Sequence, residues 1–278
     1  MGARREPTAR QMRLAVELRR LREAAGLSAR EAGALLGVNS VQISQIELGT
    51  SGVSEKRLRR LASHYACTDT EFIDALVAMA TDRTRGWWEE YRGLLPTSFL
   101  DLAELEDYAT FLHEVAVLYV PGLLQTESYA RAVFSARVPE LAHDELELRV
   151  QHRLRRQQTT IPYELVIHEA ALRIRVSDRA ANRAQLDKLL ALSEADNITV
   201  RVIPFDLDDF ARAASTMTYA GGSVPKLDTV VRDVPLGSAF IDSEAQLSAF
   251  RMRFRKVEDA SLDPERSRDF ISQLAKEL

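Results

Sequence analysis

The sequence predicts an α+β chain: an all-α domain of five helices at the N-terminus, followed by a larger mixed α/β domain with helices packed on a sheet. Three observations predict it. Apolar residues recur at helical spacing through the first 81 residues, punctuated by cap and turn residues. From Ile161 onward, short β-rich runs alternate with helical stretches, the pattern of a sheet covered by helices. The charge is also divided unevenly. Residues 1–66 carry 12 Lys+Arg against 6 Asp+Glu, whereas the remaining 212 carry 25 against 35, giving −4 overall. A basic module tethered to an acidic body suits a nucleic-acid reader with a separate regulatory domain. The expected division is a basic arm over 1–10, a helix-turn-helix domain over 11–81 and a regulatory or interaction domain over 82–278. The last divides into a helical part, 82–160, and a part of mixed sheet and helices, 161–278.

Each element has its own signal. Residues 1–10 hold Arg4, Arg5 and Arg10 around Pro7 without periodicity; they read as a disordered tail or as an arm along DNA. In 11–26, Leu14, Leu18 and Leu21 repeat at helical spacing and Ala25-Gly26 ends the helix. Ser28 with Glu31 is a capping-box signature for a second helix. Gly33 sits where the two helices cross closely, and Gly37 supplies the backbone freedom of a turn. Asn39 then caps a third helix, on which Ile43 and Ile46 form an apolar stripe and Ser40, Val41, Gln42, Ser44 and Gln45 fall largely opposite. Ser54 caps a fourth helix reaching Tyr65. It buries Leu58, Leu61 and Ala62 and displays Lys56, Arg57, Arg59 and Arg60. A fifth, about 69–81, turns Phe72, Ile73, Leu76 and Met79 inward.

Two short helices joined by a tight turn, the second with small polar side chains at its exposed N-terminal end, suit insertion into a DNA major groove. Gly33, Gly37, Val38, Asn39, Ile43, Ser44, Ile46, Glu47 and Gly49 make this stretch resemble the lambda-repressor-like, Cro/C1-type (XRE) DNA-binding domains. Relatives more often carry alanine at the position of Gly33 and arginine at that of Gln45, so no arginine–guanine contact carries over. The resemblance implies a homodimer on double-stranded DNA. Asn39, Ser40, Val41, Gln42, Ser44 and Gln45 would stand at the groove, and Lys56 and Arg57 at phosphates. Gln42 and Gln45 are the best base readers, because an amide bonds adenine N6 and N7 together. Glu47, near the helix end, reads as a local structural residue or as a contact.

Behind this domain, Trp87, Trp88 and Tyr91 form an aromatic trio that reads as core or seam more readily than as a ligand cage. Gly86-Trp87-Trp88, Tyr91, the run Val120 to Glu127, Tyr129-Ala130-Arg131, the run Arg153 to Gln157 and Glu169 to Arg173 resemble a C-terminal domain of undetermined function found behind Cro/C1-type modules in actinobacterial regulators. Strands are expected at 163–168, 198–204, 215–219, 229–234 and 238–241, and helices at about 179–194, 243–258 and 264–278. The loop Phe205 to Ala214 departs from the relatives. The family also implies a small companion protein, so the alternatives to a DNA-binding regulator are an antitoxin-like interaction module and a small-molecule sensor.

Catalytic and metal chemistry find no support. His113-Glu114 and His168-Glu169 would each need a second histidine four residues on, and Val117 and Leu172 stand there. There is no phosphate loop, and Gly221-Gly222 reads as a turn. Asp206, Asp208 and Asp209 are only half a calcium loop. Cys67, the one cysteine, reads as buried structure even with His64 nearby. The longest apolar stretch, Val115 to Leu124, is too short to span a membrane, and the N-terminus lacks a secretory signal. The expectation is a cytoplasmic regulator, not an enzyme, with no cofactor and no membrane partner.

Overall fold

A computed structural model describes residues 7–207, 215–234 and 237–278. Arg4, Arg5, Asp208 and Asp209 lie outside the described residues. The chain forms two compact units, 1–89 and 90–278.

The first unit holds five α-helices among its described residues: α1 (Ala9–Ala24), α2 (Ala29–Leu36), α3 (Ser40–Glu47), α4 (Glu55–His64) and α5 (Thr70–Thr81). Side-chain oxygens satisfy the orphan amides at four of the five starts. Thr8 with Gln11 and Ser28 with Glu31 form full capping boxes, while Asn39 and Asp69 cap α3 and α5. Ser54 occupies the N-cap of α4 without a side-chain cap bond. The helices bury Ala15, Leu18, Ala32, Leu36, Ile43, Ile46, Leu58, Leu61, Leu76 and neighbours. On α5 the inner face is Phe72, Leu76, Val77 and Ala80, rotated from the expected set, with Ile73 and Met79 only half-buried. After α5 a 3-10 turn, Trp87–Tyr91, begins. Trp88 is buried, and its ring lies so close over Gly86 that an added Cβ would stand 2.1 Å from it. Only glycine fits beneath that indole.

The second unit contains α6 (Thr97–Tyr108), β1 (Phe111–Ala116), α7 (Glu127–Ser135), α8 (His143–Arg156), β2 (Tyr163–His168), α9 (Glu169–Arg173), α10 (Arg179–Leu192), β3 (Ile198–Ile203), β4 (Met217–Gly221), β5 (Thr229–Val234), β6 (Gly237–Ile241), α11 (Glu244–Ala260) and α12 (Pro264–Glu277). The strands form one mixed sheet of order β3-β2-β1-β4-β5-β6. The first three are parallel and the last three antiparallel. Both faces are covered. Leu112, Ala116, Leu165, Ile167, Val200 and Val202 pack with Tyr129, Leu186, Leu189, Ile271 and Leu274 from α7, α10 and α12. Val115, Val166, Ile203, Met217, Tyr219 and Val230 pack with Leu247, Phe254 and Val257 of α11.

Two expectations are corrected. The stretch 82–160 is not wholly helical, because β1 lies inside it at the centre of the sheet. Its sequence, FLHEVA, hides the strand by placing Glu114 on the same face as Leu112 and Ala116. That carboxylate is buried and accepts the Tyr163 hydroxyl at 2.6 Å. Gly221 is likewise no turn residue: it ends β4 opposite Phe111, whose ring fills the space where a Cβ would stand.

Candidate DNA-reading face

The turn between α2 and α3 is set by two glycines with different tasks. Gly37 closes α2 at φ +77, left-handed backbone that a residue with a Cβ adopts only under strain. Gly33 lies against the turn itself rather than at a helix crossing: an added Cβ would sit 2.8 Å from the Val38 carbonyl oxygen. The Val38 N–H donates to Gly33 O at 2.8 Å and closes the bend. Asn39 Oδ1 then accepts the Gln42 N–H at 2.9 Å.

This anchoring fixes which side of α3 meets solvent. Ile43 and Ile46 are buried, whereas Asn39, Ser40, Val41, Gln42 and Ser44 are exposed and Gln45 is half-buried. Val41, an apolar side chain, is 59 % exposed. The residues picked from sequence as groove-facing thus lie on the outer side of one helix, with Gln45 nearer its flank. Lys56 and Arg57 are exposed on α4 and carry no ion pair among the described residues. Their neighbours are partly committed. Arg59 pairs with Glu55 and Asp74 at 2.8 Å each, and Arg60 donates to the Leu35 carbonyl at 3.3 Å.

Glu47 resolves into a structural residue. Its two carboxylate oxygens accept from Arg22 Nε and Nη2 at 2.7 and 2.8 Å, and Arg22 Nη1 donates to Leu27 O at 2.7 Å. The two side chains are 10 % and 8 % exposed. This fork ties the end of α3 to the end of α1 and to the loop before α2. Donating to the Glu47 carboxylate holds the guanidinium pKa above its ordinary value. Nearby Tyr65 is buried, and burial first, then the Glu47 charge, pushes its phenol up to about 12. Sequence alone could not separate this role from a DNA contact, because Arg22 lies 25 residues away.

Just beyond α3, Gly49 takes φ +68, and an added Cβ would stand 3.2 Å from both Met12 Sδ and Pro7 Cβ. Pro7, the start of the described chain, therefore lies beside the C-terminal end of α3.

The second unit explains the motif run through Glu127 as a clasp. Gln125 Nε2 donates to Val120 O, and Arg153 donates to Gln125 Oε1. Gln157 Nε2 donates to both Gly122 O and Gln125 O. From α10, Lys188 donates to Gln125 O, while Gln185 donates to Leu124 O and accepts from the Thr126 N–H. A buried loop needs such partners for its backbone, so these side chains satisfy the loop rather than a ligand. The two His-Glu pairs are similarly occupied. His113 stacks on Phe254 at 4.5 Å, with burial lowering its pKa. His168 Nδ1 accepts the Ala170 N–H at 3.0 Å and caps α9. Glu169 accepts the Phe205 N–H at 2.8 Å. Cys67 is half-buried. Among the described residues, no group of three metal-ligating side chains converges and no helix is long and apolar enough to cross a membrane.

Residues 99–273 match the family described as a domain of unknown function, DUF5753. Residues 13–73 match a helix-turn-helix domain. No curated protein matches the chain, and no solved structure does.

Proposed function

Because the chain belongs to the DUF5753 family and carries a helix-turn-helix domain ahead of it, we propose that it is a sequence-specific, Cro/C1-type transcriptional regulator reading DNA as a homodimer. The observation that carries this reading is the polarity of α3. One side is locked into the core by Ile43 and Ile46, and the other presents Ser40, Val41, Gln42 and Ser44 to solvent. Such a helix is held by its back and free to be read from its front.

The mechanism is direct readout. Two copies related by a twofold axis set their α3 helices into successive major grooves about 34 Å apart. Gln42 and Gln45 pair with adenine edges. Val41 touches a thymine methyl, and Ser40 or Ser44 a base edge or phosphate. Asn39, its oxygen engaged as the cap, orients the first amides of α3 toward a phosphate. Lys56 and Arg57 neutralise phosphates without reading sequence. Control of occupancy resides in the C-terminal domain, through a small companion protein. Exposed Leu118, Tyr119 and Phe205 follow β1 and β3, at the carboxyl ends of parallel strands where open α/β sheets bind their partners.

Fluorescence anisotropy of the full-length protein on its own promoter, titrated with salt and with random-sequence competitor, tests the reading. Competitor-resistant binding whose log K falls steeply with log salt supports it; weak binding indifferent to sequence refutes it. Gln45→Ala loses about 1–3 kcal/mol on the specific site and little on random DNA. An equal loss on both removes Gln45 from the readers. Co-purification of a small protein from the native host supports the companion. A ligand-induced thermal shift of the isolated protein points instead to a sensor.

A further inference from the structure

The two edges of the sheet are finished differently. At β3 the outer edge is engaged by the chain itself at Val202. The Val202 N–H donates to Ser267 Oγ and the Val202 carbonyl accepts the Leu262 N–H, each at 2.9 Å. At β6 the order ends. Gly237–Ile241 pairs with β5 on its inner side, and among the described residues nothing hydrogen-bonds to its outer side.

An open edge is a template for another strand, and proteins usually blunt it with charge, proline or a bulge. Gly237–Ile241 has none of these: its sequence is GSAFI, and its register against β5 runs without interruption from Val234↔Gly237 to Val230↔Ile241. Ser238, Ala239, Phe240 and Ile241 are all half-buried, the state of side chains covered from one side only. The strand is also self-complementary. In an antiparallel pairing of two copies centred on Ala239, Ala239 faces itself, Phe240 faces Ser238, and Ile241 faces Gly237. Each large side chain meets a small one and no like charges oppose. Antiparallel pairing of a strand with its own copy generates an isologous twofold contact.

We infer that β6 is the homodimer interface, joining two copies edge to edge into one continuous sheet. The surface lies wholly in the second unit. It supplies the twofold that the DNA reading requires, but it is measurable without DNA, so failure of either can be told from failure of the other.

Charge placed at Ala239 tests it. Ala239 stands opposite Arg232 of β5 within the fold, so Ala239→Glu gains an intramolecular partner while opposing two carboxylates across the axis. Sedimentation equilibrium of the full-length protein should give twice the 31.2 kDa chain mass for the wild type. Ala239→Glu should be monomeric, its self-affinity weakened about a hundredfold or more, with unchanged circular dichroism. Ala239→Lys should also be monomeric, and an equimolar mixture of the two variants should recover the dimer. That rescue occurs only where position 239 faces its own copy, and it shows that neither variant has simply unfolded. A monomeric wild type overturns the inference and leaves the edge to a different chain. A wild-type dimer that both variants preserve, or one the mixture does not rescue, places the interface elsewhere and overturns it too.

Discussion

Replacing Glu47 by glutamine separates a helix-anchoring role from DNA contact. The substitution keeps the shape of the side chain and removes its charge. It leaves the Arg22 guanidinium, 10 % exposed, with only the exposed Glu23 carboxylate, at 3.6 Å, as counter-charge and turns one of its acceptors into an amide donor. Removing one partner of a buried ion pair costs about 3–5 kcal/mol. Because Arg22 keeps the Leu27 carbonyl as an acceptor, the lower end applies, about 3 kcal/mol. For a domain of this size each kcal/mol moves the midpoint by about 4–8 °C, so the transition of the first unit should fall by roughly 12–24 °C. Differential scanning calorimetry of the full-length protein reads this directly. Replacing both Arg22 and Glu47 by methionine should recover much of the loss, since two apolar side chains leave no stranded charge. The reasoning is refuted if Glu47→Gln unfolds with the wild type yet loses its DNA site: the carboxylate would then face the ligand and not α1.

Three further substitutions probe the turn chemistry and the buried imidazole. Gly37→Ala should lose about 1–2 kcal/mol from left-handed backbone strain alone, and Gly49→Ala more, because its Cβ also crowds Met12 and Pro7; chemical denaturation that ranks them in the reverse order contradicts the packing at Gly49. His152 is fully buried between Tyr91 and Phe99. Burial first, then the charges of Arg156, Arg153 and Arg155, depress its pKa to about 3. A depressed histidine contributes stability that is complete above the unfolded pKa of about 6.5 and is lost as pH falls toward the folded value. From pH 6.5 to 5 the loss is roughly 2 kcal/mol. His152→Phe should flatten that part of the stability profile, and an unchanged slope in urea titrations would assign the acid sensitivity elsewhere.

Local interactions were legible in the sequence because their partners lie within one helical turn. Ser28 with Glu31, Asn39 with the Gln42 amide, and the left-handed Gly37 all act over three or four residues, so spacing alone revealed the helix-turn-helix and the exposed side of α3. The charge contrast between residues 1–66 and the rest was visible for a different reason: it is a sum and needs no geometry. The sheet strands after Ile161 carry β-branched runs and were found to within a few residues.

Contacts across long separations were decided only by the folded chain. β1 pairs with β2 and β4, and its buried Glu114 carboxylate accepts the Tyr163 hydroxyl from the neighbouring strand, a pairing that no pattern within FLHEVA encodes. Gly221 is glycine because the Phe111 ring from 110 residues earlier occupies its side-chain space. The role of Glu47 depended on Arg22, and that of the run Val120 to Glu127 on Arg153, Gln157, Gln185 and Lys188. Even the position of β6 at the end of the sheet is a matter of strand order rather than composition, since an uncharged run reads alike in the middle of a sheet or at its border. Sequence determined the helix-turn-helix and the exposed side of α3 through short-range hydrogen bonding and periodicity. Tertiary structure decided which polar groups are committed inside the fold, because burial makes each of them depend on a partner that chain distance conceals.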